Sequence, residues 1–385
     1  MLSVNWDLLV AGLLLLTGVQ ALPATDFDTS LHSLSKRAVT WDANCNKKYG
    51  TNTAKEWLQK SWNTIEPLSQ AGHDGLENVV KLIEFKAGIS TVDPKLSETE
   101  QLRLVPLYQI MFGEIEKDAA TETLDKADVA KHVTRAKVVM ESLKRLEAIG
   151  KNRRPNLSMH CDDDFLQTKD LKNKPYSGPA ASTGKVWRFN TDTKAWEQYT
   201  NNGRVCVGQN AGVTFIKKAG QITAETMVIC PAYFEIQATL EKKDQLHLWE
   251  LNRDSLPEKY WNMGEDKTDD FHMAAFGRKI GMKLFHEMMH TSFFHPTRNY
   301  FKDQLLTTGL KTGQKAYTFV GAAQLASENK DLAAKNIDNV VYWSIANYFE
   351  RYHWETGYAR LPGAESPKEP AKRAESWQVR GEEES

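Results

Sequence analysis

The run LFHEMMHTSFF, from Leu284 to Phe294, sets two histidines and a glutamate in a segment that is otherwise almost wholly apolar. A fold that buries this segment must give His286, Glu287 and His290 partners, because a polar group taken from water without one is penalised. Either they find ordinary hydrogen-bond partners in the core, or they find a metal. The three residues form the pattern H-E-x-x-H. Residues four apart lie on one face of a helix, so both imidazoles can reach one ion at about 2.0–2.1 Å, the usual zinc–nitrogen distance. Glu287 lies one position round the helix, where it can touch a water on the ion instead of the ion. Zinc lowers the pKa of such a water toward about 7, and a carboxylate beside it can take the proton.

The pattern around the motif is helical. Phe271, Ala274, Ala275, Ile280, Leu284, Phe285, Met288 and Met289 leave little polar surface, which predicts one buried helix from about 269 to 293. Upstream, Trp57, Leu58, Trp62, Ile65 and Leu68 recur at helical spacing, as do Leu76, Val79, Val80 and Ile83. A long helix is expected over Leu124–Ile149, with Gly150 as its stop. After Pro155 the character changes. Lys185–Asn190, Ala195–Thr200, Arg204–Val207, Val213–Ile216 and Met227–Cys230 read as short strands of a small, mainly antiparallel sheet. Helices return after the motif, including one around Val340–Tyr352.

Composition narrows the class. The chain has 385 residues, 41% hydrophobic and 26% charged, which suits a globular protein with a full core. Its net charge of −1 provides no global field for nucleic acid or an anionic membrane. The apolar run Leu8–Leu16 is too short to span a bilayer and is followed by Val19-Gln20-Ala21, a signal-peptidase pattern. Lys36-Arg37 then offers a dibasic processing point. The expected organisation is a signal peptide over 1–21, a short pro-segment over 22–37, a helical region over 38–152, a domain carrying the motif over 153–361, and a disordered charged tail over 362–385. The expected product is secreted and free of the membrane once the signal peptide is removed; its oligomeric state is left open. Four cysteines in such a chain predict two disulfides with three possible pairings. Cys206 and Cys230 flank a strand-like stretch, which favours that pair and leaves Cys45 with Cys161. The sequon Asn156-Leu157-Ser158 points the same way.

A catalytic zinc takes three protein ligands and keeps one position open. The longer form H-E-x-x-H-x-x-G-x-x-H is excluded, since Phe293 and Pro296 stand where Gly and His are needed. A distant glutamate could serve, with Glu328 and Glu350 as candidates.

Three features together resemble the fungal secreted aspzincin metallopeptidases, the deuterolysin and lysine-specific metalloendopeptidase group. They are the leader with its dibasic pair and cysteines, the helix ending in FHEMMHTSFF, and the stretch AYTFVGAAQLASENKDLAAKNIDNVVYWSIANYF from Ala316 to Phe349. The resemblance covers about 267–350. It implies an α+β, zincin-like metallopeptidase domain with a buried active-site helix, Zn2+ as cofactor, and a protein or peptide as substrate. By the family pattern G-T-x-D-x-x-Y-G, Tyr317 is the tyrosine that stabilises the oxyanion and Glu287 the general base. Gln314 stands where the ligand aspartate belongs, and Thr318 replaces the following glycine. Asp303, thirteen residues past His290, is then the expected third ligand beside His286 and His290. Asp338 matches an aspartate of the lysine-binding pocket, with a place in the metal shell or at a helix cap as its other readings. Val341 replaces the pocket's second carboxylate, so strict lysine specificity is not expected. A second reading, a catalytically inactive secreted binding protein on a zincin scaffold, is kept open by Gln314.

Overall fold

The chain's marked helix starts and its parallel strand pairings decide how the motif is held. In the computed structural model the described residues are 39–152, 157–166, 186–190, 195–200, 205–206, 212–215, 225–243, 245–261, 272–297, 300–309 and 311–363. The leader, the pro-segment, Asn156 of the sequon and the tail beyond Gly363 lie outside them.

Strands β1 (Thr40–Trp41), β2 (Lys48–Tyr49) and β3 (Asn52–Thr53) precede four helices, α1 (Ala54–Trp62), α2 (Ile65–Lys86), α3 (Glu98–Phe112) and α4 (Lys126–Asn152). Thr53 and Glu56 form a reciprocal capping box at the start of α1, and Ser97 and Glu100 do the same for α3. The apolar spacing read from the sequence faces inward: Trp57, Leu58, Ile65, Leu68, Leu76 and Val79 are fully buried. Helix α4 runs past Gly150 to Asn152. A glycine inside a helix costs only about 1 kcal/mol, so it did not act as the expected stop.

Strands β4 (Leu157–His160), β5 (Val186–Asn190), β6 (Ala195–Thr200), β7 (Gly212–Phe215) and β8 (Glu225–Ile229) follow. The main sheet has the order β1-β4-β8-β7. It is mixed, not mainly antiparallel: β1 pairs parallel with β4, β4 parallel with β8, and only β7 runs antiparallel, along β8. Parallel neighbours need a long crossover, and helices α1–α4 supply it between β1 and β4. Strands β5 and β6 form a separate antiparallel hairpin. Residues 205–206, expected within a strand, are not in one. The favoured disulfides are both present, Cys45–Cys161 with Cα atoms 4.9 Å apart and Cys206–Cys230 with 5.2 Å.

Among the described residues six α-helices follow: α5 (Pro231–Lys242), α6 (Met273–Phe276), α7 (Ile280–Met289), α8 (Thr318–Glu328), α9 (Lys330–Ala333) and α10 (Ile337–Tyr348). The single helix expected over 269–293 is therefore broken between α6 and α7. The backbone leaves the helix at Lys279, which is extended at φ −84° and ψ 136°, and Tyr342 Oη packs where a Cβ on Gly277 would stand. Two side chains of α5 pin the break: Tyr233 donates to the Gly277 carbonyl at 2.7 Å, and Gln237 Oε1 accepts from the Ile280 amide at 3.0 Å.

Helix α10 is buried along its whole length except Tyr348, and it packs on α2. Trp343 Nε1 donates to the Gly72 carbonyl at 2.8 Å, and a Cβ at Gly75 would fall 2.5 Å from Asn347 Oδ1. Trp57, Leu143, Phe285 and Trp343 belong to one core, so the helical layer and the region carrying the motif share it. Among the described residues no helix is long and apolar enough to cross a membrane.

Candidate metal centre

Helix α7 is buried on nearly every side, with His286 7% and Glu287 2% exposed. Its apolar residues fasten it under the sheet and against α10. Its second histidine, His290, is the residue that ends the helix, and its side chain is 22% exposed. The motif thus runs from the core outward.

The third member arrives on a separate element. Residues 304–306 and 314–316 form a short antiparallel ladder, with Leu306 N bonded to Gln314 O at 2.8 Å and Ala316 N to Gln304 O at 2.7 Å. Asn336 holds both arms. Its Oδ1 accepts from the Gln304 amide at 2.9 Å, and its Nδ2 donates to the Ala316 carbonyl at 3.1 Å. Asp303 and Tyr317 flank this ladder and meet on one face, where Tyr317 Oη donates to Asp303 Oδ2 at 2.8 Å.

Asp303 Oδ1 points the other way. It lies 3.2 Å from His286 Nε2 and 3.4 Å from His290 Nε2, and it is buried without a hydrogen-bond partner. The three ligand atoms fall within 4.8 Å of one another, so His286, His290 and Asp303 could hold a metal ion. Four donors about 2.0–2.1 Å from a tetrahedral ion are about 3.3 Å apart, close to the two separations seen here. An orphaned carboxylate oxygen and two imidazole nitrogens at that spacing fit a cation.

Asp338 sits behind His286. Its Oδ1 is 2.7 Å from His286 Nδ1, and its Oδ2 accepts from the Thr318 amide at 2.8 Å. Each oxygen has a partner inside the protein, and at 8% exposure the residue offers little surface to a substrate lysine. The pocket role and the ligand role expected of Asp338 do not fit this placement, because it faces the ring nitrogen turned away from Asp303. It orients the imidazole instead, as carboxylates behind metal-binding histidines do. Nor does it cap its own helix, whose N-cap is Asn336; the amide it receives opens α8. Glu328 and Glu350 act elsewhere: Glu328 Oε2 accepts from the Thr307 and Thr308 amides, and Glu350 pairs with Arg253.

Glu287 is held by two residues that the sequence reading did not single out. Lys283 Nζ lies 2.7 Å from its Oε1, and Thr214 Oγ1 lies 2.8 Å from its Oε2. Lys283 is four positions before Glu287, a spacing that marks helix charge pairs, so that signal was available. Thr214 comes from β7 at the sheet edge, which local sequence does not reveal.

These contacts set the charges of the metal-free protein. Burial and Lys283 push the His286 imidazole down, but the neighbouring carboxylates of Asp303 and Asp338 outweigh them and raise its pKa to about 9. Burial pushes Glu287 up, yet Lys283, His290 and His286 together lower it to about 2. The two imidazoles hold Asp303 far below the usual carboxylate range in spite of its burial. Burial, with the Asp303 charge, raises the Tyr317 phenol, which keeps its proton.

No family model matches the chain, and no curated protein or solved structure matches it.

Proposed function

We propose that the protein is a secreted zinc-dependent endopeptidase with a zincin-like domain of the aspzincin kind. One observation carries this reading: a buried Asp303 oxygen faces the Nε2 atoms of both motif histidines at metal-ligand spacing. Imidazole suits zinc, and three protein donors leave a fourth position open. When bound, zinc polarises a peptide carbonyl and lowers the pKa of a water beside it. Glu287 takes the proton of the attacking water and passes it to the leaving amine. Tyr317, whose phenol stays protonated, donates a hydrogen bond to the carbonyl oxygen as negative charge gathers there. Asp338 keeps His286 in the tautomer with Nε2 free. The disulfides and the leader support export.

A second reading draws on a separate observation. Both oxygens of Glu287 are already engaged, by Lys283 and Thr214. A carboxylate so held favours a metal-binding protein without turnover. The test is zinc content and casein hydrolysis on the purified protein, beside Asp303→Ala and Asp338→Ala. The peptidase reading expects one zinc per chain in the wild type, with zinc and hydrolysis both lost in Asp303→Ala. Zinc without hydrolysis favours the binding protein. A wild type with neither overturns both readings of the metal.

A further inference from the structure

The face that carries Asp303 and Tyr317 continues along the ladder to Leu305 and Lys315. These two are directly opposed. The bonds on either side of them make theirs a pair without mutual hydrogen bonds, in which side chains approach most closely. Side chains two residues apart share a face, so Leu305 follows Asp303 and Lys315 precedes Tyr317 on one shelf. Contacts agree with this. Lys315 Nζ is 3.0 Å from Asp303 Oδ2 and 2.7 Å from Tyr317 Oη. The shelf is open to solvent: Lys315's side chain is 49% exposed, and Leu305 and Tyr317 are 49% and 42% exposed.

Resting on the peptidase reading, we propose that Lys315 determines specificity, selecting substrates with a carboxylate next to the scissile bond. An ammonium group has three donors. Two are spent on Asp303 and Tyr317, and the third is directed to nothing within the protein among the described residues. A carboxylate arriving beside Tyr317 would accept it. A substrate lysine arriving there would meet a like charge. The one carboxylate expected to receive a lysine, Asp338, is closed off behind His286. The shared chemistry has two sources, an Asp or Glu side chain or the substrate's own C-terminus.

The experiment uses the zinc-loaded protein and matched fluorogenic peptides with Glu, Gln or Lys after the scissile bond, each with a free or an amidated C-terminus. Glu is expected to exceed Gln in kcat/KM by about three- to fivefold, and Lys to fall below Gln by a similar factor, as for half-exposed charge pairs. Lys315→Met should level the series at unchanged zinc content, Lys315→Arg should keep it, and Lys315→Glu should invert it. A preference that disappears on amidation but ignores the side chain assigns the C-terminus as the source. Lys at or above Glu in the wild type, or an order unchanged in Lys315→Met, overturns the proposal. The same peptides are also ranked by binding to Glu287→Gln, using fluorescence anisotropy. That ranking is required to match whether or not the wild type hydrolyses, so failure of the peptidase reading is told apart from failure of this one.

Discussion

Asp338 Oδ1 lies 2.7 Å from His286 Nδ1, and its second oxygen holds the Thr318 amide at 2.8 Å. One carboxylate thus orients the His286 imidazole and anchors the start of the helix that follows Tyr317. Asp338→Asn keeps the shape but not the charge. Loss of such an orienting carboxylate lowers metal affinity by about 10–100-fold. Titration against a competing chelator should show that drop with little change in folding; an unchanged affinity would deny Asp338 this role.

Asn336 is 1% exposed and joins the arms that bring in Asp303 and Tyr317. Asn336→Ala leaves a buried amide and a buried carbonyl without their partner, at a cost of about 2–4 kcal/mol. It should also loosen both arms. Denaturant unfolding and zinc binding, measured together, should decline together. Weakened stability with full zinc affinity would mean that the arms are held by something else.

Thr318 has φ +66°, in the left-handed region that a β-branched residue rarely enters. The Asp338 carboxylate anchors its amide there. Strain of this kind is worth about 1–3 kcal/mol, against a glycine entropy cost of roughly 0.5–1 kcal/mol. Thr318→Gly should therefore raise stability by about 1 kcal/mol in urea melts. A loss would show that the threonine side chain contributes more than its backbone costs.

His132 is fully buried, and its Nδ1 is 3.1 Å from Tyr108 Oη. Burial lowers its pKa to about 4 although Asp128 opposes the shift, and burial likewise lowers His272 to about 4. Between pH 6.5 and 4 the unfolded chain takes up protons that these folded histidines refuse. Stability present above pH 6.5 is therefore lost as pH falls, on the order of 3 kcal/mol per histidine across that window. Thermal unfolding of chelator-treated protein from pH 7 to 5 should decline less steeply in His132→Gln than in the wild type. Parallel declines would remove His132 from the explanation.

The motif was legible because its chemistry is local: His286, Glu287 and His290 share one helix turn, and their apolar neighbours announce burial. Asp303 could be reached from its distance past His290. Asp338 was placed near the right chemistry, but its contact with His286 was not legible, because a carboxylate's function here depends on which imidazole nitrogen it faces. Sequence carries no trace of that choice. Strands β5 to β8 were found near their limits, but β1 to β4 were not foreseen, since they are two to four residues long and the parallel pairing of β1 with β4 depends on a crossover of about a hundred residues. The break at Lys279 was missed because the α5 side chains that hold it, Tyr233 and Gln237, lie more than forty positions away.

The bond from Trp343 to the Gly72 carbonyl spans 271 positions. Its consequence is temporal. A growing chain makes α2 early and the motif helix much later, but α10 with Asn336 and Asp338 comes only near the end. Until then the two histidines have neither their orienting carboxylate nor the clamp that delivers Asp303. The His286, His290 and Asp303 group is thus complete only once the last helix is made, and a chain arrested before residue 336 would carry the H-E-x-x-H pattern without Asn336 and Asp338.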